Sequence, residues 1–344
     1  MAENIKTVLV GKTFLVTGGC GFMGSNFIHF LLANVPQVKV INLDVLTYAG
    51  NTANVKGLPP KQYRFVKGDI RNIKLMKRLM SKTDFVINFA AATHVDRSIH
   101  NASDDFVYSN VLGVHSILEA LRESKRVEKM VHISTDEVWG DLPLSTKEKF
   151  NEDSPFLPNS PYAASKASGD LLVRSYVKTY KLPVIVSHSV NNFGPRQFPE
   201  KLIPFFTLLA INDKSLPLYG DGQNVRDWIY VDDHSSAVLK LLEKGVVGQV
   251  YAIARGTEYS NLKIADKILS ILEKPKSLLT FVVDRPGHDR RYSVNASSLR
   301  QLGWKPKHNF ESALRDTVKW YTRNEKWLGE VLKRNKNINR HINL

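Results

Sequence analysis

Three glycines at intervals of three residues lie in the segment Thr17-Gly18-Gly19-Cys20-Gly21-Phe22-Met23-Gly24, from which the fold can be predicted. It follows an apolar run at residues 13–17, which is typical of a buried strand, and it precedes a helical pattern of apolar residues. Because Gly18, Gly21 and Gly24 carry no side chains, the backbone can approach a pyrophosphate, whose charge then lies at the helix N-terminus. The order strand, glycine loop, helix predicts a dinucleotide-binding α/β domain.

The next predicted strand, residues 38–44, ends in Asp44, about twenty residues beyond the glycine loop. A carboxylate at this place can accept hydrogen bonds from an adenosine ribose, and it repels a 2′-phosphate. The pattern therefore favours NAD over NADP as the cofactor. The alternative interpretation is a glycine-rich turn followed by a surface aspartate.

Around this unit, short apolar runs alternate with helical patterns, which indicates repeated βαβ units and a parallel sheet covered on both faces. After about residue 190, prolines and glycines recur at short intervals and predict loops and short helices. We therefore predict an α/β fold, a Rossmann-type doubly wound parallel sheet with a smaller mixed α/β C-terminal substrate lobe. The predicted strands are residues 13–17, 38–44, 63–67, 84–89, 129–134 and 183–188, and helices are predicted at residues 104–124 and 163–180.

The predicted domains interleave along the chain, because an apolar run at residues 249–254 is expected to return to the main sheet. The NAD-binding domain comprises residues 10–190 and about 226–254. The sugar-nucleotide lobe comprises about 191–225 and 255–330, and residues 332–344 form a basic C-terminal tail.

Composition excludes several classes of protein. The chain has 344 residues, of which 43% are hydrophobic and 24% charged, a balance that excludes fibrous and low-complexity proteins. Its 48 Lys and Arg against 33 Asp and Glu give a net charge of +15, which favours phosphorylated ligands. A single cysteine, Cys20, excludes an intramolecular disulfide. No apolar run is long enough for a membrane span, and residues 1–12 lack a signal peptide's core, so we expect a cytoplasmic protein without a membrane partner.

Two groups of residues are candidates for catalysis. In Tyr162-Ala163-Ala164-Ser165-Lys166 the Tyr and Lys lie four residues apart and share a helix face, so the ammonium is expected to lower the pKa of the phenol. The second group is Thr135, Asp136 and Glu137, which follow the fifth predicted strand at the sheet edge where ligands bind. The alternative for Tyr162 and Lys166 is a chance pair on a helix surface. The alternative for the second group is that Thr135 or Asp136 caps a turn and Glu137 is solvated. No metal site is predicted.

The glycine loop, the Tyr162-Lys166 pair and the further segments given below make the chain resemble the extended short-chain dehydrogenases/reductases, and within them the nucleotide-sugar 4,6-dehydratases, over nearly its whole length. At the positions of Thr135, Asp136 and Glu137, the 4-epimerases carry Ser/Thr-Ala-Thr, and the decarboxylases and GDP-mannose dehydratases usually carry Thr-Ser-Glu. Asp136 therefore distinguishes this chain from both groups. The other matching segments are Asp44-Val45-Leu46-Thr47-Tyr48-Ala49-Gly50-Asn51, Thr93-His94-Val95-Asp96-Arg97-Ser98, Asn191-Asn192-Phe193-Gly194-Pro195, Phe198-Pro199-Glu200-Lys201-Leu202-Ile203-Pro204, Gly220-Asp221-Gly222, Asn224-Val225-Arg226-Asp227-Trp228 and Asp284-Arg285-Pro286-Gly287-His288-Asp289.

The resemblance implies an NAD-dependent lyase. Its substrate would be dTDP-glucose, or alternatively UDP-glucose, and its product a 4-keto-6-deoxy sugar nucleotide, as in the synthesis of rhamnose and other deoxysugars. Tyr162, aided by Lys166 and Thr135, would take the 4-hydroxyl proton while hydride passes from C4 to NAD. Glu137 would then remove the C5 proton, Asp136 would protonate the departing 6-hydroxyl, and hydride would return to C6.

The same resemblance implies two sets of binding residues. The cofactor would contact Gly18, Gly21, Phe22, Met23, Gly24, Asp44, Thr47, Asp69, Ile70, Ala90, Ala91, Ser109, Tyr162, Lys166 and Asn192. The sugar nucleotide would contact Thr93, Thr135, Asn191, Lys201, Leu202, Pro217, Tyr219, Arg226, Asn261, Arg285 and His288.

Two alternatives stay open. One is a nucleotide-sugar 4-epimerase or decarboxylase of the same fold, which needs no acid at position 136. The other is an NAD-containing regulatory protein whose positive charge holds nucleic acid, a partner that the complete catalytic set argues against. Because relatives pair two helices of each subunit in a four-helix bundle, the resemblance also implies a homodimer through residues 104–124 and 163–180.

Overall fold

Strands and helices alternate along most of the chain. The fold is given by a computed structural model that describes residues 8–100 and 103–334. Within these ranges the strands are β1 Thr13–Thr17, β2 Lys39–Asp44, β3 Tyr63–Lys67, β4 Phe85–Asn88, β5 Lys129–Thr135, β6 Val184–Ser189, β7 Asn191–Phe193, β8 Leu216–Tyr219, β9 Val225–Tyr230, β10 Val250–Ile253, β11 Glu258–Ser260 and β12 Leu279–Val282. The helices are α1 Phe22–Asn34, α2 Ile73–Met80, α3 Val95–His100, α4 Ser103–Val107, α5 Gly113–Glu123, α6 Pro161–Tyr180, α7 Leu202–Ile211, α8 Val231–Lys244, α9 Asn261–Ile271, α10 Ser297–Gln301, α11 Phe310–Arg323 and α12 Glu325–Arg334.

Seven strands form one parallel sheet, in the order β3-β2-β1-β4-β5-β6-β10. The first six have the doubly wound Rossmann order, which confirms the predicted fold class. Every residue of β4 and of β6 is buried, because helices cover both faces of the sheet. Each predicted strand end lies within one residue of the observed end.

The seventh strand of this sheet comes from the second half of the chain. β10 pairs in parallel with β6, with Tyr251 opposite Ser187. The apolar run at residues 249–254 therefore does return to the main sheet. The chain leaves the large sheet after β6, forms β7 to β9, and comes back before it completes the second lobe.

A smaller lobe is built from two small sheets, β7-β9-β11 and β8-β12, and from α7, α9 and α11. Its core includes Phe206, Trp228, Ile264 and Leu314. β9 belongs to this lobe, although the expected boundary near residue 226 would place it with the large sheet. The prediction of only short helices after about residue 190 is wrong, because α8 and α11 each have 14 residues. Proline does not prevent helices when it lies in a first turn, as Pro204 does in α7.

The predicted helix at residues 104–124 is interrupted by one turn of π-helix, Tyr108–Leu112, between α4 and α5. In this turn Asn110 points inward, and its side-chain amide exchanges hydrogen bonds of 2.9 and 3.0 Å with the backbone of Ala92. Gly169 of α6 packs against the turn, and a Cβ there would lie 2.6 Å from the Asn110 carbonyl oxygen. Helical periodicity does not reveal the extra residue of a π turn, which is frequent at functional sites.

The C-terminal end of the described chain is helical. The expected basic tail begins too early, since residues 332–334 belong to α12, while residues 335–344 lie outside the described residues. Over the ranges 8–100 and 103–334, no helix combines the length and the apolar character needed to cross a membrane.

Candidate active site

The glycine loop between β1 and α1 leaves an anion site open at the start of the helix. Gly21 precedes α1 without a side-chain cap, and the first turn, which begins with Phe22 and Met23, holds no acidic residue. The N–H groups of this turn and the positive end of the helix dipole are therefore left for an anionic group. A Cβ on Gly24 would lie 2.5 Å from the Gly18 carbonyl oxygen, so the loop can close this tightly only with glycine. The loop fits the pyrophosphate of a dinucleotide.

Asp44, at the end of β2, has a second role that its position in the sequence does not indicate. Its Oδ2 accepts a hydrogen bond from the backbone N–H of Cys20 at 2.8 Å, and its Oδ1 accepts one from Leu46 at 2.7 Å. Burial raises the pKa of this carboxyl, and the two N–H groups oppose the shift. Asp44 thus holds the glycine loop in place, while its oxygens keep lone pairs for a ribose hydroxyl.

The remaining predicted cofactor residues gather at one edge of the sheet, because parallel strands end there together. Asn192 donates a hydrogen bond to Ser189 Oγ at 2.6 Å. Asp69 forms a 2.6 Å ion pair with Arg71; burial raises the pKa of the Asp69 carboxyl, but the hydrogen bonds from Arg71 outweigh burial and lower it. The others lie after β2 (Thr47), after β3 (Ile70), after β4 (Ala90 and Ala91), in the π turn (Ser109) and on α6 (Tyr162 and Lys166).

Tyr162 and Lys166 lie one turn apart on α6. The Nζ of Lys166 donates to the Ile133 carbonyl oxygen at 2.8 Å, and burial lowers the pKa of this ammonium. The expectation that Lys166 lowers the pKa of the Tyr162 phenol is not met. Burial, and then the Glu137 carboxyl, raise that pKa against a hydrogen bond with Thr135. A dry site that also holds carboxyl groups disfavours a phenolate more than one cation favours it.

Asp136 and Glu137 follow β5 directly, yet their surroundings differ. Asp136 is 2% exposed, and burial, followed by the neighbouring Glu137, raises its pKa well above the usual value. Glu137 reaches the cavity described below; burial raises its pKa as well, but Arg285, Lys201 and Arg226 lower it. The net shift of the pKa is upward for both carboxyl groups and larger for Asp136, so Asp136 holds its proton more strongly than Glu137.

A cavity lies next to Glu137, between α3 of the first half and the elements of the smaller lobe. Of the predicted sugar-nucleotide residues, two do not line it. The carbonyl oxygen of Thr93 accepts a hydrogen bond from the Tyr48 hydroxyl at 3.0 Å, and the Thr135 hydroxyl oxygen accepts one from the Glu137 N–H at 3.3 Å. The predicted residues that do line the cavity are Asn191, Lys201, Leu202, Pro217, Tyr219, Arg226, Asn261, Arg285 and His288.

The basic side chains of the cavity are held by groups from both halves of the chain. Arg285 forms a 2.9 Å ion pair with Asp96 of α3, and Arg226 donates to the Asp289 carbonyl oxygen at 2.9 Å. Burial, followed by the charge of Arg285, lowers the pKa of His288 to about 4, so this imidazole is neutral at pH 7. The cavity therefore presents guanidinium charges and a neutral hydrogen-bonding ring.

The cavity residues that were not predicted include Asp96, Glu200 and Tyr292. The first two lie inside motifs that carry the resemblance, so an acid within those motifs was the available signal. Burial raises the pKa of Glu200 to about 7, and its Oε1 accepts a hydrogen bond from Tyr48 at 2.9 Å. Tyr292 lies outside every quoted motif, and its ring centre lies 4.2 Å from the Arg226 guanidinium carbon.

Comparisons with known proteins agree with this geometry. A Rossmann sheet that brings a glycine loop and a Tyr-Lys pair to one cleft is the arrangement of an extended short-chain dehydrogenase/reductase, and this chain is a protein of that class. The sequence model of the GDP-mannose 4,6 dehydratase family matches residues 15–317, so the chain belongs to this family.

Several relatives match along nearly their whole length. The low-salt glycan biosynthesis protein Agl12 of Haloferax volcanii is 47% identical over 308 residues, which cover 89% of this chain and 97% of that protein. The dTDP-glucose 4,6-dehydratase of Neisseria gonorrhoeae is 44% identical over 337 residues, which cover 91% of this chain and 96% of that protein. Among solved structures, the dTDP-glucose 4,6-dehydratase DesIV of Streptomyces venezuelae, crystallised with NAD, has a TM-score of 0.89 at 43% identity and covers 93% of this chain and 99% of its own.

Proposed function

We propose that this protein is an NAD-dependent dTDP-glucose 4,6-dehydratase, which forms dTDP-4-keto-6-deoxyglucose and water. The observation that carries the proposal is the pair Asp136 and Glu137 beside Tyr162, in which the dry Asp136 holds its proton more strongly than Glu137, which faces cations. Elimination of water needs an acid and a base for C5 and the 6-hydroxyl, whereas 4-epimerisation needs proton transfer only at the 4-hydroxyl. The relatives that are dTDP-glucose 4,6-dehydratases support the same activity.

Each proposed step uses a side chain beside the cavity. Tyr162 shares a helix face with Lys166 and has a hydrogen bond with Thr135; once it has lost its own proton, which the Lys166 ammonium and the positive charge of bound NAD would favour, its phenolate takes the proton of the 4-hydroxyl. Glu137, whose carboxylate form the nearby cations favour, removes the C5 proton, which is acidic once C4 is a ketone. Asp136, protonated in its dry site, gives its proton to the departing 6-hydroxyl. The hydride acceptor for C4, and the donor for C6 after elimination, would be supplied by NAD held at the glycine loop and Asp44.

The proposed cofactor site is the groove along the carboxyl edge of the large sheet. The start of α1 would hold the pyrophosphate, and Asp44 the adenosine ribose. The Asp44 carboxylate would disfavour a 2′-phosphate, which supports NAD over NADP.

The proposed substrate site combines charge with apolar walls. Lys201, Arg226 and Arg285 supply the positive charge that a diphosphate requires. Leu202 and Phe206 form apolar walls that suit a flat base. Thymine differs from uracil by one methyl group, which is worth only about 1–3 kcal/mol in a pocket. The preferred base is therefore determined by measuring turnover of both substrates.

The test is to incubate the purified protein with dTDP-glucose and, separately, with UDP-glucose, and to follow the product by its mass and its alkaline absorbance. We expect loss of one water from the sugar, faster with dTDP-glucose. The matched variant Asp136→Ala lacks the acid, and we expect it to reduce NAD without losing water. An isomer of unchanged mass would contradict the proposal and indicate a 4-epimerase.

A homodimer is part of the proposal. Val107, Tyr108 and Leu112, on the segment from α4 to α5, and Leu171 on α6 are exposed large apolar side chains, which supports an interface over these helices. Leu171→Lys is expected to give monomers in sedimentation. Val283→Lys, at an exposed valine on another part of the chain, is the control that should not change the assembly. A parent protein that sediments as a monomer would contradict the dimer.

We propose the same two domains as the sequence predicts, with the boundary moved beyond β9. The support is that the core of the smaller lobe contains Trp228 from this strand. We also propose a cytoplasmic location, which the single, buried cysteine Cys20 supports because it needs no oxidising compartment. Fractionation of the native cell tests the location.

A further inference from the structure

A buried carboxylate that the proposed mechanism does not use lies behind the Tyr162-Lys166 pair. Asp170 follows Lys166 by one turn on the same face of α6 and is 4% exposed. It does not line the cavity, so it cannot touch a substrate bound there. Burying an ionised carboxylate costs several kcal/mol unless charges and hydrogen bonds compensate it. The groups that compensate the charge of Asp170 therefore indicate its role.

Two strands of the large sheet hold Asp170 in place. Its Oδ2 accepts a hydrogen bond from Ser134 Oγ of β5 at 2.6 Å and lies 2.9 Å from His188 Nε2 of β6. Its Oδ1 lies 3.5 Å from His132 Nε2, also on β5. The ring of His188 packs edge-on against Trp139, with the ring centres 4.7 Å apart. The carboxylate is fixed on two sides, and its two oxygens face different imidazoles.

The imidazole of His132 is neutral. Burial, and then the charge of Lys166, lower its pKa to about 3. Its Nδ1 lies 3.0 Å from the side-chain amide nitrogen of Asn88, whose oxygen accepts a hydrogen bond from the Thr17 hydroxyl at 2.6 Å. This chain of donors makes Nδ1 the acceptor, so the ring proton is on Nε2. Nε2 and Asp170 Oδ1 are 3.5 Å apart and form no hydrogen bond, so His132 lies beside the carboxylate as a neutral ring.

The titratable groups that face Asp170 are Tyr162 and Lys166 on α6, His132 on β5 and His188 on β6. Burial lowers the pKa of Lys166, and the negative charge of Asp170 opposes that shift. Conversely, burial raises the pKa of Asp170, but the hydrogen bond from His188 and, last, the charge of Lys166 lower that pKa below its usual value. The two side chains form no direct ion pair. Lys166 Nζ bonds the Ile133 carbonyl oxygen and Asp170 bonds Ser134, the next residue of β5, so the opposite charges lie close together in a dry site and act on each other through space.

We propose that Asp170 is a positioning residue that acts through Lys166. Its buried charge, fixed by Ser134 and His188, keeps the Lys166 side chain an ammonium. The inference rests on the proposed function, in which Tyr162 exchanges a proton while Lys166 stays charged. Without Asp170, the effect of burial on Lys166 would not be opposed by this carboxylate, and the ammonium would lose its proton at a lower pH.

The first test needs no substrate. In protein labelled with 13C-lysine, the Cε signal of Lys166, assigned by its absence in Lys166→Arg, reports the pH at which the ammonium loses its proton. Asp170→Asn is expected to lower that pH by about one unit, because it removes a negative charge that opposes the effect of burial on Lys166. Asp170→Ser, a smaller neutral replacement, gives the same comparison if the asparagine variant does not fold.

Two controls separate charge from structure. Asp170→Glu keeps the charge and is expected to keep the parent titration pH. Asp233→Asn removes another buried carboxylate, whose Oδ1 lies 2.9 Å from His308 Nδ1, and is expected to lower stability without moving the Lys166 titration. An unchanged Lys166 titration in Asp170→Asn would overturn the proposal.

The second test measures the pH profile of turnover with dTDP-glucose. In Asp170→Asn the alkaline limb of kcat is expected to move down by the same number of pH units, while KM stays within about twofold because Asp170 does not line the cavity. A parent protein that forms no product from dTDP-glucose or UDP-glucose contradicts the proposed function, and the lysine titration then still decides the role of Asp170. A parent-like pH profile in an active variant overturns that role alone.

Discussion

The two halves of the candidate site are held by different interactions. On the cofactor side, backbone N–H groups of Cys20 and Leu46 bind the carboxylate of Asp44, and the loop closes by glycine contacts. On the sugar-nucleotide side, charged side chains hold one another across the lobes, as Arg285 and Asp96 do at 2.9 Å. The first half should therefore be sensitive to added atoms, and the second to changes of charge and pH.

The largest effect is expected where the two halves meet. Asp136→Asn and Glu137→Gln should each keep reduction of NAD but lower formation of the dehydrated product by about 10²–10⁴-fold, because each removes one proton-transfer group. Single-turnover absorbance of NADH, together with product mass, checks this. Asp153→Asn, at an exposed acid, is the control expected to match the parent. A double Asn/Gln variant that dehydrates at the parent rate would refute the assignment.

A pH effect on stability would sharpen the comparison, because it should arise on the charged side. Burial raises the pKa of Glu200 from 4.5 to about 7, so between these pH values the folded protein holds a proton that the unfolded chain releases. Stability should therefore fall as pH rises through this window, by about 3 kcal/mol in total. Glu200→Gln should remove this loss, as urea unfolding at both ends of the window would show.

The control for this prediction is Tyr48→Phe, which removes a 2.9 Å hydrogen bond to Glu200 but leaves the carboxyl group. This variant should keep the dependence of stability on pH. Equal pH slopes for the parent and Glu200→Gln would show that burial of this carboxyl does not make the charged side sensitive to pH.

Added atoms should act on the cofactor side. Gly24→Ala places a Cβ 2.5 Å from the Gly18 carbonyl oxygen, so we expect a loss of roughly 1–3 kcal/mol of stability and weaker NAD binding. Thermal unfolding with and without NAD measures both. Gly329→Ala in α12, where nothing lies within 4 Å, is the matched control and should gain about 0.5–1 kcal/mol. Equal stability and equal NAD response in the two variants would contradict the glycine contact.

The smallest effect tests geometry rather than charge. Arg285→Lys keeps a cation but loses the planar fork, so KM for the nucleotide sugar should rise roughly tenfold while the affinity for NAD is unchanged. Arg290→Lys, at an exposed ion pair of 2.8 Å with Asp221, is the control and should keep the parent KM. Steady-state kinetics measure KM, and titration with NAD measures the affinity for the cofactor. An equal rise of KM in both variants would contradict the assignment of Arg285 to the sugar-nucleotide site.

The sequence predicted the cofactor side more completely because its residues follow strands that are easy to recognise. Gly18 follows β1 and Asp44 ends β2, and the parallel pairing of these strands brings them together. Asn110 was missed, because its role depends on a π turn that helical spacing does not show. Tyr292 was missed because a long-range fold, rather than a local pattern, brings it to Arg226. The shift of the Tyr162 pKa depends on burial and on surrounding acids, which a local motif does not report.

The position of β10 at the edge of the large sheet has a consequence for synthesis of the chain. Residues 10–190 can form six strands, but β6 keeps an unpaired edge until residues 250–253 leave the ribosome. An unpaired edge strand is a template for association with other chains. A fragment that ends near residue 190 would therefore carry the complete glycine loop and yet be prone to aggregate. During synthesis, the second half of the chain is thus needed first to cover the edge of β6, and only later to complete the candidate active site.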